Sequence, residues 1–188
     1  PSARRALKNS YVRFLRGWGA DSNSLEGAVL KGWVESRLGI TPTFHKVPLG
    51  AVDTDDYSPY AFDRMRGHAR TNDIDGQLDL LYTYTQYELG RSLPGQQHLT
   101  LYRGTYDAAA HPKLVSFGPR NYVVRLNNLV SFTADRERAW EFGTTVWEAA
   151  VPICKVFFYG DLFPESILRG ETEYLVIGGE YQVREVLG

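Results

Sequence analysis

The segment Arg169–Tyr181, "RGETEYLVIGGEY", joins a pair of glutamates to an apolar run. The run Tyr174–Ile177 predicts a buried strand that ends at Gly178-Gly179. Side chains two residues apart in a strand point to the same face, so Glu171 and Glu173 would lie side by side, roughly 7 Å apart. Like charges at this distance repel each other, although a solvated strand start tolerates them. Spacing alone therefore leaves two interpretations open, a reactive pair of carboxylates and a solvent-exposed strand end.

Composition limits the class of protein. The chain has 188 residues, of which 43% are hydrophobic and 23% charged, as in ordinary soluble globular proteins. The net charge of -1 argues against a dominant surface for nucleic acid or anionic membrane. No apolar run is long enough to span a bilayer, and no signal peptide opens the sequence. Cys154 is the single cysteine, so no disulfide can form within the chain, which favours a cytoplasmic protein. From the charge and the hydropathy we expect no binding of nucleic acid and no insertion into a membrane.

The first half of the chain predicts helices and the second half predicts strands. "SLEGAVLKGWVESRLG" has a candidate N-cap at Ser24 and a candidate end at Gly39. The later half consists of short β-rich segments and one short helix, for which Asp135 is the candidate cap. Helices followed by strands without regular alternation predict an α+β fold. We expect a single domain that is mainly helical over residues 1–95 and mainly β over residues 96–188.

Two predicted strands end in polar residues. "HLTLYRG" ends in Arg103 and Gly104, where an arginine can grip a phosphate in a fork and a glycine admits a ligand to the backbone. "NNLVSFT" carries Asn128 in an apolar context and places Ser131 and Thr133 at its end. Each feature also has a common structural explanation, namely a surface salt bridge, a buried amide with local partners, or hydroxyls that finish a strand.

Two carboxylates and a phosphate-binding arginine are the groups that glycosyl transfer needs. One carboxylate stabilises positive charge that grows on a sugar C1, while the other handles the proton of the incoming nucleophile. Phe142, in the short helix after the second strand, either packs in the core, which is the commoner role, or stacks on a flat ring. The histidines and the cysteine lack ligand spacing, so we expect no metal in the domain.

In chain order, the arginine, the Ser-x-Thr and the Glu-x-Glu resemble the R-S-E class of ADP-ribosyltransferases. The segments "GAVLKGWVESRLGITPTFH", "HLTLYRG", "RLNNLVSFT" and "GETEYLVIGGEY" are similar to the dinitrogenase reductase ADP-ribosyltransferases of nitrogen-fixing bacteria. The resemblance extends from about Tyr11 to the C-terminus. It implies the split β-sandwich of the mono-ADP-ribosyltransferases, preceded by a helical region. Against this family, the chain is expected to be short at its N-terminus.

The resemblance also implies a role for each strand-end residue. NAD would be the donor, as a substrate. Arg103 would bind its diphosphate, and the backbone of Gly104 would contact the nicotinamide amide. Ser131 would hold the catalytic glutamate and the ribose in place. Asn128 and Phe142 would contact the nicotinamide ribose and the nicotinamide ring.

For the acidic pair, the resemblance implies a division of labour. Glu173 would bond to the 2′-hydroxyl of the nicotinamide ribose and stabilise the oxocarbenium ion. Glu171 would orient and help deprotonate the acceptor guanidinium, which is a poor nucleophile because its pKa lies above ~12. The Ser-Phe-Thr motif departs from the Ser-Thr-Ser of many toxins, which leaves the role of Thr133 open. Phe163 either presents the acceptor or belongs to the core.

Taken as a whole, the resemblance implies an arginine-specific mono-ADP-ribosyltransferase. Its acceptor would be dinitrogenase reductase, the nitrogenase iron protein, and the modification would switch off nitrogen fixation. The PII nitrogen-signalling protein is the candidate regulator. Two alternatives stay open: a bacterial effector or toxin domain with the same chemistry and another protein target, and an NAD-binding regulatory module without transfer activity.

Overall fold

The computed structural model describes residues 10–45, 47–49, 55, 57–163 and 173–187. The chain divides into two compact units, Pro1–Leu81 and Tyr82–Gly188. This division falls inside a helix, between Leu81 and Tyr82. The sequence predicted the change from helical to β structure further along the chain, at residue 95. Whether the chain behaves as a single domain stays a prediction.

The first unit is mainly helical. The helix Leu25–Leu38 follows the predicted signals: the Ser24 hydroxyl accepts a hydrogen bond from the Gly27 N–H, and Gly39 ends the helix in the left-handed region with φ of 67°. Both the predicted cap and the predicted end are thereby confirmed. The elements are α1 (Tyr11–Ala20), α2 (Leu25–Leu38), β1 (Thr43–Phe44), β2 (Val47–Pro48), α3 (Tyr57–His68) and the first part of α4 (Ile74–Ser92).

The second unit is built on an antiparallel sheet of six strands in the order β4-β5-β3-β6-β8-β7, in which β5 also pairs with β8. Because β5 pairs with β8 along most of its length and with β3 through Tyr102 and Thr133, strands β5, β8, β6 and β3 form a closed circuit. The α+β class predicted from the sequence is confirmed. The elements are β3 (His98–Thr105), β4 (Lys113–Gly118), β5 (Asn121–Thr133), α5 (Arg136–Ala139), β6 (Thr145–Pro152), β7 (Val156–Tyr159) and β8 (Glu173–Val186).

The glycine pair in β8 does not end the strand, so that prediction was wrong. The register between β5 and β8 shifts by one residue between Leu126 and Leu129, opposite Gly178 and Gly179. A Cβ atom on Gly178 would lie 1.6 Å from the carbonyl oxygen of Asn127. The glycine therefore admits the extra residue of a bulge, and the strand continues past it.

The C-terminal half of α4 is held on the sheet by one face. Leu89, 3% exposed, belongs to the core of the β unit. The Gln86 side-chain amide donates to the carbonyls of Ile153 and Val156 at 3.1 and 2.7 Å, and the Tyr82 hydroxyl donates to the Cys154 carbonyl. None of the helices in the described part of the chain has the length and hydropathy needed to cross a bilayer.

We predict that Gly178→Ala lowers the free energy of unfolding by about 3 kcal/mol, because the added Cβ forces β5 and β8 apart. Urea denaturation followed by circular dichroism measures the change. Gly90→Ala is the matched control, since a Cβ at this exposed α4 position meets nothing within 4 Å. That substitution should be neutral or stabilise the protein by up to about 1 kcal/mol. Equal stability of the two variants would contradict the close approach at Gly178.

Candidate active site

Three residues from separate motifs meet on adjacent strands of the β unit. The Arg103 guanidinium donates from Nη1 to the carbonyl oxygen of Ser131 at 2.8 Å. The Ser131 hydroxyl in turn donates to Oε1 of Glu173. A continuous hydrogen-bonded link therefore runs from β3 through β5 to β8. The structure brings together the arginine, the serine and the second glutamate that the sequence singled out.

The strand register explains why these residues meet. Thr133 at the end of β5 lies opposite Tyr102 on one side and opposite Glu173 on the other. Ser131 lies two residues earlier in β5 and thus on the same face as Thr133. Its hydroxyl reaches Glu173 along the diagonal between paired strands. Arg103 follows Tyr102 directly and closes the set from β3.

Arg103 has the electrostatics of an anion-binding residue. Its side chain is partly exposed, but Nε is buried and has no hydrogen-bond partner in the described part of the chain. Burial lowers the pKa of Arg103 to about 10, and the negative charge of Glu173 opposes this shift. The guanidinium therefore keeps its charge at neutral pH while one buried donor lacks an acceptor. A phosphate group supplies both the charge and the acceptor, so the residues present fit a diphosphate ligand.

Two glycines allow a 3₁₀ turn to lie directly on β3. A Cβ on Gly104 would come within 1.9 Å of the Ala139 carbonyl oxygen, and a Cβ on Gly143 within 2.1 Å of Thr105. The turn between them carries Phe142, whose side chain is 53% exposed. Core packing of Phe142, the commoner role, is thereby excluded, and its ring is available for stacking. Gly104 has a packing role that the sequence did not indicate, and its contact with a ligand stays a prediction.

The end of β5 is shaped by local hydrogen bonds. The Thr133 hydroxyl accepts from the Asp135 N–H at 3.1 Å, and the Asp135 carboxylate accepts from the backbone N–H groups of Glu137 and Arg138. The predicted cap of the short helix is confirmed, and Thr133 helps to form the turn that precedes it.

Asn128 is fully buried within β5, and its predicted ribose contact stays a prediction.

The first glutamate of the pair, Glu171, lies outside the described residues, and its role stays a prediction. Phe163 is the last described residue before that segment. Its ring stacks on Phe158 with centroids 5.9 Å apart and on Tyr84 with centroids 6.4 Å apart. Phe158 is 2% exposed and Tyr84 is 44% exposed, so the ring of Phe163 lies between a core residue and a surface residue. Packing against the core and contact with an acceptor are therefore compatible roles for Phe163.

His111 is a neighbour of the site that the sequence considered only as a metal ligand. Its ring packs edge-on against Trp147 with centroids 5.3 Å apart. Burial and the positive charge of Arg103 lower the pKa of His111. No motif or spacing signals this proximity, which arises only when the strands pair.

The described residues contain no group of three or more His, Cys, Asp and Glu side chains placed to hold a metal ion.

Comparisons with known proteins agree on one family. The model of the family described as "Dinitrogenase reductase ADP-ribosyltransferase (DRAT)" matches residues 1–185. A curated relative, "NAD(+)--dinitrogen-reductase ADP-D-ribosyltransferase" of Rhodospirillum rubrum, is 46% identical over 181 residues, which cover 96% of this chain. The chain spans 66% of the length of that relative. No solved structure matches the chain.

We predict that Arg103→Ala weakens NAD binding by a factor of about 10 to 100, because a charge-assisted hydrogen bond contributes about 1.5–3 kcal/mol. Arg103→Lys should retain part of the affinity, since it keeps the charge and loses the forked geometry. Isothermal titration with NAD measures the dissociation constants. Arg125→Ala is the control, because Arg125 forms an exposed ion pair with Glu180 on β8. Unchanged affinity in Arg103→Ala would remove this residue from the site.

Proposed function

The chain belongs to the dinitrogenase reductase ADP-ribosyltransferase family, and from this premise we propose that it is an arginine-specific mono-ADP-ribosyltransferase. It uses NAD to modify dinitrogenase reductase, the nitrogenase iron protein, and so switches off nitrogen fixation. The observation that carries the proposal is the link from Arg103 through Ser131 to Glu173. The name of the Rhodospirillum relative, an enzyme that acts on dinitrogen reductase with NAD, supports the choice of donor and acceptor.

The proposed reaction exchanges one bond at the ribose C1 for another. The bond from C1 to the nicotinamide nitrogen breaks, and nicotinamide leaves with the electron pair. A bond forms from C1 to a guanidinium nitrogen of the acceptor arginine, which loses one proton. NAD supplies the ADP-ribose group and the leaving group, and the protein supplies the positioning and the charges.

Each site residue has a role in this proposal. Arg103 binds the diphosphate through its fork of donors. Ser131 holds the Glu173 carboxylate in one orientation, and that negative charge stabilises the positive charge that develops at C1. Glu171 accepts the proton of the acceptor guanidinium. Gly104, Asn128 and Phe142 complete the pocket for the nicotinamide ribose and ring.

The family further supports three proposals about the whole protein. The fold is the split β-sandwich of the mono-ADP-ribosyltransferases, preceded by a helical region within one domain of residues 1–188, and the closed circuit of β3, β5, β8 and β6 supports this proposal. The protein acts in the cytoplasm, where its acceptor resides. The PII nitrogen-signalling protein is its regulator. Each of these rests on family resemblance.

We predict that the chain transfers label from NAD to an arginine of purified dinitrogenase reductase. Mass spectrometry of the digested acceptor identifies the modified residue. Label on no arginine of this acceptor, together with label on another protein, would favour the effector or toxin alternative. If the folded chain shows neither transfer nor NAD hydrolysis, the inactive regulatory module is favoured.

We predict that the two glutamates separate transfer from hydrolysis. Glu173→Gln should lower both activities by a factor on the order of 10²–10³, because both need the charge at C1. Glu171→Gln should lower transfer to arginine by a similar factor and leave hydrolysis within a few-fold of the unaltered protein, because water needs no guanidinium base. Nicotinamide release with and without acceptor measures both activities. Parallel loss in the two variants would contradict the division of labour.

A further inference from the structure

The C-terminal half of α4 has two faces: one anchors the helix to the sheet, and the other carries exposed aromatic side chains. The anchoring face uses Gln86 and Leu89, as described above. On the other side of the helix, the side chains of Tyr84 and Tyr87 are 44% and 64% exposed. Large exposed aromatic groups at neighbouring positions of one surface mark interaction sites in soluble proteins. We refer to Tyr84, Tyr87 and Phe163 as the aromatic surface.

Two rings of the aromatic surface, those of Tyr84 and Phe163, are connected to the core by stacking. Tyr84 stacks on Phe163 with an interplanar angle of 23°, and Phe163 stacks on Phe158 at the same angle. Phe158 is buried in β7, so the row of rings begins inside the β unit and ends at the surface. Rings held in this way lose little conformational entropy when a partner binds. Rigid aromatic groups of this kind are the residues that most often dominate binding energy at protein interfaces.

The aromatic surface lies beside the strand that carries the site glutamate. Phe158 lies opposite Leu175 and Tyr159 lies opposite Tyr174 in the pairing of β7 with β8. Tyr174 directly follows Glu173, and paired strands are about 5 Å apart. A protein bound to the aromatic surface would therefore have its neighbouring segments close to Glu173.

The charge next to the aromatic surface is negative. Asp161 is exposed and forms no ion pair with any residue of the described ranges. Glu88 is paired with Arg91 at 2.7 Å, so of these two described carboxylates Asp161 is the one without an ion pair in the described ranges. The pKa of Tyr159 is raised by burial and, in addition, by the negative charges of Glu88 and Asp161. Aromatic faces beside an exposed carboxylate favour a guanidinium or ammonium group.

We propose that the aromatic surface is the docking site for the acceptor protein and contacts the basic segment that carries the modified arginine. The inference rests on the proposed transferase function and assigns to this surface the recognition of the protein acceptor. Its occupant is the acceptor because the surface combines stacked rings, the exposed carboxylate of Asp161 and a position one strand away from Glu173. A second copy of the chain and the further length present in the Rhodospirillum relative are the competing occupants.

The test compares a protein acceptor with a small one. The double variant Tyr84→Ala, Tyr87→Ala should raise the KM for dinitrogenase reductase tenfold or more, since truncation of a hot-spot aromatic group costs at least this much affinity. Transfer to agmatine, a small guanidine, and hydrolysis of NAD without acceptor should stay within twofold, because neither uses the docking surface. The double variant Tyr84→Phe, Tyr87→Phe keeps the rings and should have a KM for dinitrogenase reductase close to that of the unaltered protein. Asp161→Lys should raise the KM as well.

Phe62→Ala is the matched control, because Phe62 is 54% exposed on α3 and should leave all three activities unchanged. An unchanged KM in the tyrosine double variant, or an equal loss with agmatine, would overturn the inference and leave the proposed function standing. A change from oligomer to monomer in analytical ultracentrifugation, with KM unchanged, would assign the surface to a second copy. If the unaltered chain hydrolyses NAD but labels no acceptor, the proposed acceptor is wrong and the inference fails with it.

Discussion

The side chain and the backbone of Ser131 together couple the three strands of the candidate site. Its carbonyl accepts from Arg103 and its hydroxyl donates to Glu173, so one residue in β5 sets the orientation of a cation and of an anion. A partly buried guanidinium is stable only where acceptors and negative charge surround it. Glu173 supplies part of that charge and the Ser131 carbonyl supplies an acceptor. Within the described residues, the buried Nε of Arg103 still lacks an acceptor, which an anionic ligand would supply.

The second constraint is the close approach of backbone to backbone at glycines. Gly104, Gly143 and Gly178 each face a backbone group at a distance that excludes a Cβ atom. At Gly178 this contact admits the bulge of β5, and the bulge sets the register in which Thr133 meets Glu173. At Gly104 and Gly143 it seats the turn that exposes Phe142 next to β3. The glycine of the "LYRG" motif therefore has a reason to be glycine that is independent of any ligand.

The sequence predicted local structure best where the physical cause is itself local. The caps at Ser24 and Asp135 depend on groups within three residues, and both predictions are confirmed. The glycine pair in β8 failed as a strand end because glycines mark turns and bulges alike, and only the partner strand distinguishes them. The meeting of Arg103 with Ser131 followed from family resemblance, since no spacing in one chain encodes the register of strands 28 residues apart.

The proposed chemistry imposes an electrostatic condition on the site as a whole. An acceptor arginine arrives protonated because its pKa lies above ~12, and it must approach a site that already contains the charged Arg103. Burial lowers the pKa of Arg103 only to about 10, so both guanidinium groups carry their charge at neutral pH and repel each other. Glu173 offsets one of these charges, and the diphosphate of the donor offsets another. In the proposed reaction, the acceptor would therefore meet a more favourable potential once the dinucleotide has bound, and the exposed carboxylate of Asp161 would extend that potential toward the proposed docking surface.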